Sequence, residues 1–533
     1  MKKAISLLMS VLLILTVMIP AASVSAVDGC ACGNTPVIYI KGRTMIYKDT
    51  ENLDAGLAEK NFPKDKKEIA RMTYNIATAF AKAMATDKWE DYSNVLYEEI
   101  MPMYDQYSLN NDGEIDNKSG INPEWSIDNI LKRAYEGGKQ RHIAEKDNIF
   151  MYEFQYDMRL DPLYTAKNLR KLVEAVKEIT GHKKVNILGR CEGGVIENAY
   201  FSLYGWDDVE SAVIYNSIAC GTEVADACFS GEIFVDSASL NRFVYEFLGL
   251  SPVLDLILTA VDASEYAGML ENVTDFVQMV QDKVGPLLFP RLIRDIYGKC
   301  PGWYSLISPD YFEKSKSFVL CDNADGKYDK LIEKIDNYNY NYKVNARKVL
   351  EDMAADGVHV YVITKYNYQM YPVIENRSLL GDSTVSLYKQ TYEGATCSDI
   401  TKTLDKDYLA TADRKFISPD KMIDASTGVL PEHTWFVRNM SHEMYPDSFN
   451  PYLLRLMRSE VYADGSTFED MPQWLLYTKS TDTFTGINEE NAPAANENRP
   501  SGNPVQMLKD FIARFINFIK YIVEKISSKV NPK

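Results

Sequence analysis

The sequence predicts an α/β protein: short apolar strands alternate with amphipathic helices along most of its length, the pattern that a parallel sheet covered on both faces imposes. Two further observations bound the class. At 533 residues, with 46% apolar and 25% charged side chains, the chain can bury a large core and is neither a disordered tail nor a disulfide-held miniprotein. Its 75 acidic against 58 basic residues give a formal charge of -17, which repels a phosphate backbone and sets nucleic acid aside as a partner.

The elements follow in order. From Pro36 the run PVIYIKGR reads as a strand entering a glycine turn, and a helical region extends from about Lys64 to Tyr135. DNIFMYEFQYD (147–157) is the second strand. Asp161-Pro162 opens a helix whose Leu169, Leu172, Val173, Val176 and Ile179 recur at helical spacing, and Gly181 stops it. KKVNIL (183–188) is a strand, Gly193 to Leu203 a helix, and SAVIYNS (211–217) a strand. About 140 mostly helical residues then intervene before the strand VHVYVIT (358–364). Leu240 to Tyr297, with Leu254, Leu256 and Ile257, is the most helical part, and the insertion is large enough to cap the sheet's edge.

Both ends carry separate signals. Lys2 and Lys3, the apolar run from Ile5 to Ile19 and the small-residue close Val24-Ser25-Ala26 form the grammar of a signal peptide, so export to the cell surface or beyond is expected. Residues 485–504 are rich in Asn, Pro, Gly and Glu and read as a tether. Beyond it, Leu508, Ile512, Phe515, Ile519, Ile522 and Ile526 make one seam on a helix over 505–533. That helix has six basic and two acidic side chains, which favours contact with an anionic membrane surface; packing on its own domain or pairing with a copy is the alternative. The expected division is a leader (1–26), a first core part (27–217), a helical cap (218–350), a second core part (351–484), a linker (485–504) and an amphipathic helix (505–533).

Eight cysteines in an exported chain permit disulfides, and Cys220 with Cys228 or Cys300 with Cys321 would close short loops. Ser108, Asn110, Asp112, Gly113 and Asp116 have spacings reminiscent of a calcium loop, but Ser119 stands where the bidentate carboxylate belongs, and an Asn-Asp-Gly turn accounts for them. The expectation is therefore no metal and no cofactor.

The chemistry-bearing junction is Gly189-Arg190-Cys191-Glu192-Gly193-Gly194, directly after a strand and before a helix. A nucleophile on such a strained turn needs small residues two positions to either side, and Gly189 and Gly193 supply them. Here the middle residue is Cys. A thiol at a helix N-terminus has a lowered pKa and can act as a nucleophile; a buried inert thiol or half a disulfide is the alternative.

At these residues the chain resembles the α/β-hydrolase superfamily, and within it the lipases and acyltransferases similar to lecithin:cholesterol acyltransferase. Tyr156-Asp157-Met158-Arg159 is similar to that family's Tyr-Asp-Trp-Arg, with Met in the Trp place. Pro301 to Leu306 is similar to a cap-region segment. Gly381-Asp382-Ser383-Thr384-Val385 is similar to its Gly-Asp-Gly-Thr-Val loop. The resemblance implies an α/β-hydrolase fold with Cys191 in the place of the catalytic Ser and Asp382 as the triad acid. The superfamily's order of nucleophile, acid and base leaves only His433 and His442 of the five histidines. His442, in a loop before Pro446, is favoured over His433, which adjoins the strand-like Trp435-Phe436.

The resemblance further implies acyl transfer on ester, lipid-like substrates, with an oxyanion hole from the backbone N–H of Glu192 and one near Gly42 or Arg43. Lys41 departs from the His common before that glycine, and Glu192 sets an acid beside the thiol. A catalytically silent hydrolase-fold binding protein at the cell surface is therefore the alternative. Asp157 and Arg159 read as a structural ion pair beneath the site.

Overall fold

The computed structural model describes residues 34–58, 66–134, 152–233, 263–371, 373–376, 378–400, 402–488 and 490–492. The expected leader, Cys30 and Cys32, most of the linker, the 505–533 helix and Leu254, Leu256 and Ile257 lie outside them. Ten strands are described: β1 (Val37–Ile40), β2 (Tyr152–Phe154), β3 (Val185–Arg190), β4 (Val209–Tyr215), β5 (His359–Tyr366), β6 (Thr396–Cys397), β7 (Ile423–Asp424), β8 (Thr434–Arg438), β9 (Trp474–Thr478) and β10 (Thr483–Gly486). The main sheet runs β10-β9-β8-β5-β4-β3-β1-β2, parallel except for β10, while β6 and β7 pair apart. This mostly parallel eight-stranded sheet flanked by helices is an α/β fold, compatible with the α/β-hydrolase arrangement.

Side-chain alternation builds two cores on one sheet. Ile38, Ile40, Ile187, Ala212, Ile214, Val360 and Val362 face one way, against α1 (Pro162–Thr180) and α2 (Gly193–Tyr204). Val37, Tyr39, Leu188, Val213, Tyr215, Tyr361 and Ile363 face the other, against α3 (Asn450–Met457). Strands covered on both faces are apolar at most positions, which is why they read as near-continuous runs. The first of these helices starts and stops as its sequence requires: Asp161 accepts from the Leu163 N–H, Pro162 occupies the first turn, and Gly181 closes it with φ 68.

The helical insertion divides in two. Residues 263–296 form a helix that packs on Trp89–Ile100 and Lys66–Thr86 around Ala83, Trp89, Tyr92, Val284 and Leu288. Its second half belongs to the sheet instead, since Leu331, Ile335 and Tyr338 are buried in the main core. The expected boundary at residue 350 thus falls inside the helix Ala346–Ala355, whose Leu350 and Met353 join the same core.

Three other expectations are corrected. The tether does not begin at 485, because Thr485 and Gly486 complete β10 against Leu475 and Leu476, and Ile487 behind them is buried. The single helical region over 64–135 is broken: 101–126 holds two short 3-10 turns and loops, with Pro102 and the Asn110 and Asn117 side-chain turns interrupting it. Cys220, Cys228, Cys300 and Cys321 are all free thiols, so neither suggested disulfide forms; Cys228 lies within the helix Glu223–Ser230 and Cys300 is buried.

The chain leaves β1 toward β2 on one side and returns to β3 on the other, so the strand order reverses between β1 and β3. In open parallel sheets the crevice outside the carboxyl ends at such a reversal is where ligands bind. Close packing at that point leaves no room for side chains. A Cβ on Gly193 would overlap the Ile40 carbonyl, and one on Gly189 would overlap the carboxyl of Glu197 on α2.

Glu197 is fully buried, and neither of its carboxyl oxygens makes a well-formed hydrogen bond. Burial raises its pKa well above the ordinary carboxylate value, only partly offset by the approaching Gly189 N–H. A carboxyl whose folded pKa exceeds its unfolded one favours the fold most at low pH and weakens it as pH rises. Glu197→Gln should therefore melt higher than the natural protein at pH 8 and lose that advantage near pH 4, with up to about 1.4 kcal/mol gained per unit of pKa elevation removed. A melting difference that does not vary with pH would show that Glu197 is not held as the neutral acid.

Candidate active site

Each of the central strands β3, β4, β5 and β8 is followed at once by a residue with positive φ: Cys191 (56°), Asn216 (55°), Asn367 (74°) and Asn439 (65°). Three of these turn residues continue the ladder with their backbone N–H before turning away, Cys191 to Tyr215 O, Asn216 to Ile363 O and Asn439 to Tyr366 O. Asparagine visits this region readily, whereas for other L-residues it costs about 1–2 kcal/mol. Cys191 carries that strain, and the Gly194 N–H bonds its carbonyl at 3.0 Å as α2 begins.

The structure brings Cys191, His442 and Asp382 together in one line. Cys191 Sγ lies 3.0 Å from His442 Nε2, and His442 Nδ1 lies 2.8 Å from Asp382 Oδ2. The His442 N–H also bonds the Asp382 carbonyl at 2.6 Å, so backbone and side chain hold the two loops in register. Asp382 is fully buried, and its other oxygen, Oδ1, accepts from the Thr384 and Val385 N–H groups at 3.0 and 2.8 Å. Ser383, where the resembling pattern has Gly, takes a φ of 91° to make this turn. His433 is elsewhere, before the amino end of β8, with Nδ1 2.8 Å from the Ala463 carbonyl and its ring stacked on Tyr462.

Two of the residues expected to line an oxyanion hole, Gly42 and Glu192, lie beside the sulfur. A Cβ on Gly42 would come within 3.1 Å of Cys191 Cβ and 3.7 Å of its Sγ, so the loop after β1 abuts the thiol. The Glu192 backbone N–H points at the sulfur and favours its anion. The Glu192 side chain is buried; burial and the neighbouring thiolate raise its pKa well above the ordinary value, with Arg43 opposing. It is thus a neutral acid beside the thiol, and the charge clash expected from the sequence is absent. Arg43 itself is exposed. Below, Arg159 forks onto Asp157 and donates to the Tyr107 carbonyl and Ser119 Oγ, a fully buried structural pair. Lys41 pairs with Glu153 at 3.3 Å.

Two groups that sequence reading missed complete the surroundings. The Asn216 amide lies 2.9 Å from His442 Nδ1 and 3.3 Å from the Tyr445 hydroxyl. Lys365, fully buried, donates to the carbonyls of the histidine loop. The only sequence signal for the first was an Asn directly after a strand; a lysine after VHVYVIT reads as a strand's solvent end. Among the described residues, no group of three or more His, Cys, Asp or Glu is arranged to hold a metal ion. Asn110 turns its side chain onto the Asp112 and Glu114 N–H groups.

Electrostatics distinguish Cys191 from its fellows. Burial drives Cys220, Cys300 and Cys397 up to about 12 and Cys228 to about 11. Burial acts against ionising Cys191 too, but the His442 charge, its hydrogen bond and the Glu192 N–H outweigh it and leave the thiol below its ordinary value. For His442, burial opposes the charge while Asp382 and the Cys191 thiolate raise the pKa to about 10. Both directions favour the thiolate–imidazolium form of the pair, in which Nδ1–H would donate to Asp382 and Nε2–H to the sulfur.

Alkylation by iodoacetamide, mapped at Cys191, checks this. It should persist below the ordinary thiol range, and His442→Ala should move its midpoint upward, because burial is then opposed only by the Glu192 N–H. A natural-protein midpoint near 8.5 would exclude the ion pair.

No protein-family profile matches the chain, and no curated protein matches it significantly. Among solved structures, a chain in the crystal structure of the Tle4-Tli4 complex matches over 37% of this chain and 48% of that one, at 13% identity and a TM-score of 0.17. The match spans about half of that chain's length.

Proposed function

We propose that this protein is a hydrolase or acyltransferase that acts on ester, lipid-like substrates through a Cys191-His442-Asp382 triad and an acyl-enzyme intermediate. The observation that carries the reading is the unbroken chain of contacts from Cys191 Sγ to His442 Nε2 at 3.0 Å and from Nδ1 to Asp382 Oδ2 at 2.8 Å. Its position at the strand-order reversal adds to it, as does the depressed pKa of this one thiol.

The chemistry follows from the charges. The thiolate attacks the ester carbonyl carbon; the C–S bond forms as the carbonyl pair moves onto oxygen. That oxyanion is met by the Glu192 N–H and an N–H of Gly42 or Arg43, each worth about 10²–10³ in rate. As the intermediate collapses, the C–O bond breaks and the leaving alkoxide takes the proton from Nε2 of His442. The neutral imidazole then removes a proton from water or an acceptor hydroxyl, which attacks the thioester and regenerates the thiolate. Asp382 orients the ring and balances its charge throughout. Glu192, held neutral, adds no charge to the oxyanion's surroundings.

The proposal extends to location. Residues 1–26 would direct export and then be removed, and the basic seam of 505–533 would hold the protein at an anionic membrane surface. Among the described residues no helix is long and apolar enough to cross a membrane.

Two measurements test the reading. A series of chromogenic esters of increasing acyl length should be turned over by the natural protein, not at all by Cys191→Ala, and roughly 10⁴-fold more slowly by Asp382→Asn. Absence of turnover at every length, or turnover surviving in Cys191→Ala, removes the triad. Separately, deleting 505–533 should abolish binding to vesicles containing anionic lipid while leaving turnover of a soluble ester unchanged; undiminished vesicle binding removes the anchor.

A further inference from the structure

One buried residue ties the histidine loop, and through Gln390 the Asp382 turn, to β5. Lys365, on β5, points to the same face of the sheet as Ile363 and is fully buried. Its Nζ lies 3.4, 3.0 and 2.5 Å from the carbonyl oxygens of Ser441, His442 and Met444, three of the four residues from 441 to 444. The Tyr445 ring lies over the ammonium at 3.5 Å, and the Arg190 guanidinium sits over the same ring at 3.8 Å. The backbone of Lys365 is held equally closely: its N–H donates to Gln390 Oε1 at 2.8 Å, and its carbonyl accepts from Gln390 Nε2 at 3.0 Å. Gln390 Nε2 also donates to the carbonyl of Val385, at the end of the Asp382 turn.

We infer that Lys365 is a positioning residue that sets the His442 imidazole against both Cys191 and Asp382. The inference rests on the triad reading above and adds to it the element that fixes its geometry. A stretch without regular secondary structure offers its carbonyls to no ladder, and three of them converging on one buried donor leave the loop a single low-energy arrangement. Charge supports the same placement. Burial and Arg190 act against the ammonium, while Asp382, Cys191 and Glu443 favour it, and its pKa falls to about 7. Among the described residues no acidic side chain within hydrogen-bonding distance offsets the burial of this lysine; it is held by backbone oxygens and ring faces.

Lys365→Met, which keeps the length and drops the donors, tests the inference in two ways. With an ester substrate kcat should fall roughly 10²-fold with KM little changed, the cost of misplacing a reacting group by about 1 Å. The iodoacetamide midpoint of Cys191 should also rise toward the ordinary thiol range, because the imidazolium no longer faces the sulfur. A double-mutant cycle with His442→Ala then separates positioning from general damage. If Lys365 acts through His442, Lys365→Met adds nothing further to His442→Ala in alkylation rate or midpoint; additive effects, or a natural alkylation profile in folded Lys365→Met, overturn the inference. Lys365→Gln, which retains N–H donors without charge, carries the same cycle if the Met variant does not fold, and failure of both to fold assigns Lys365 to stability alone. If the natural protein turns over no ester, the triad reading fails by itself, while the alkylation cycle still reports whether Lys365 places His442.

Discussion

Cys191 and His442 each favour the other's charged form in a place where burial alone would leave both neutral. Burial opposes ionisation of both; the thiol's downward shift is owed to His442 and the Glu192 N–H, and the imidazole's upward shift to Asp382 and the Cys191 thiolate. Such a pair exists only while the partners stay in contact, because separated charges in a medium of low dielectric revert to neutral forms. The 3.0 Å between Sγ and Nε2 is therefore a condition the whole fold must meet. β3 supplies the sulfur, the loop after β8 supplies the ring and the loop after β5 the carboxylate; the hydrogen bonds of His442 N–H to Asp382 and of Gln390 to β5 lock the last two together.

The neighbouring charges are arranged so that they do not compete for that pair. Glu192 and Glu197, both buried close to the elbow, are neutral because burial costs an isolated carboxylate more than its partners return. Asp157 is occupied by Arg159, and Arg190 faces the Tyr445 ring. The anionic partner left to His442 beyond the sulfur is Asp382, itself satisfied by two backbone N–H groups on the oxygen that the imidazole does not use. A cysteine in this setting needs no base to remove its proton at the moment of attack. In the proposed reaction histidine is then free for the other half of the chemistry, protonating the departing oxygen, a division of labour that a hydroxyl nucleophile with its much higher pKa does not permit.

Legibility in the sequence followed the physics of each element. The strands and the two helices flanking the elbow were readable because burial on both faces, or on one stripe, writes itself as apolar periodicity. The elbow was readable because its glycines are demanded by identifiable close contacts, the Ile40 carbonyl and the Glu197 carboxyl. Asp382 came only through a resembling loop; chain order narrowed the base to His433 and His442, and the loop before Pro446 favoured His442 over the histidine beside the strand-like Trp435-Phe436, the two lying at opposite ends of β8. Asn216 and Lys365 were invisible for another reason. Their importance is a matter of what lies across from them, and residues 216, 365, 382 and 442 meet only through the order of the sheet. The boundaries failed where a helix's apolar face serves the sheet instead of its neighbours in sequence, as with Leu331, Ile335 and Leu350.

The turns that end the central strands show where the fold has accepted strain. Four successive elements of the sheet, β3, β4, β5 and β8, each end in a residue with positive φ, and three of the four are asparagine. Where only a sharp departure from the sheet is required, the sequence uses the side chain that tolerates it best. Asn367 and Asn439 even bond each other, Nδ2 to Oδ1 at 2.6 Å, so that two of these turns support one another. The exception is Cys191, which accepts the same backbone without the same ease. Were the turn at β3 a matter of folding alone, asparagine or glycine would serve there too. A strained residue that persists beside three unstrained equivalents points to its side chain, and the side chain is the sulfur that faces His442.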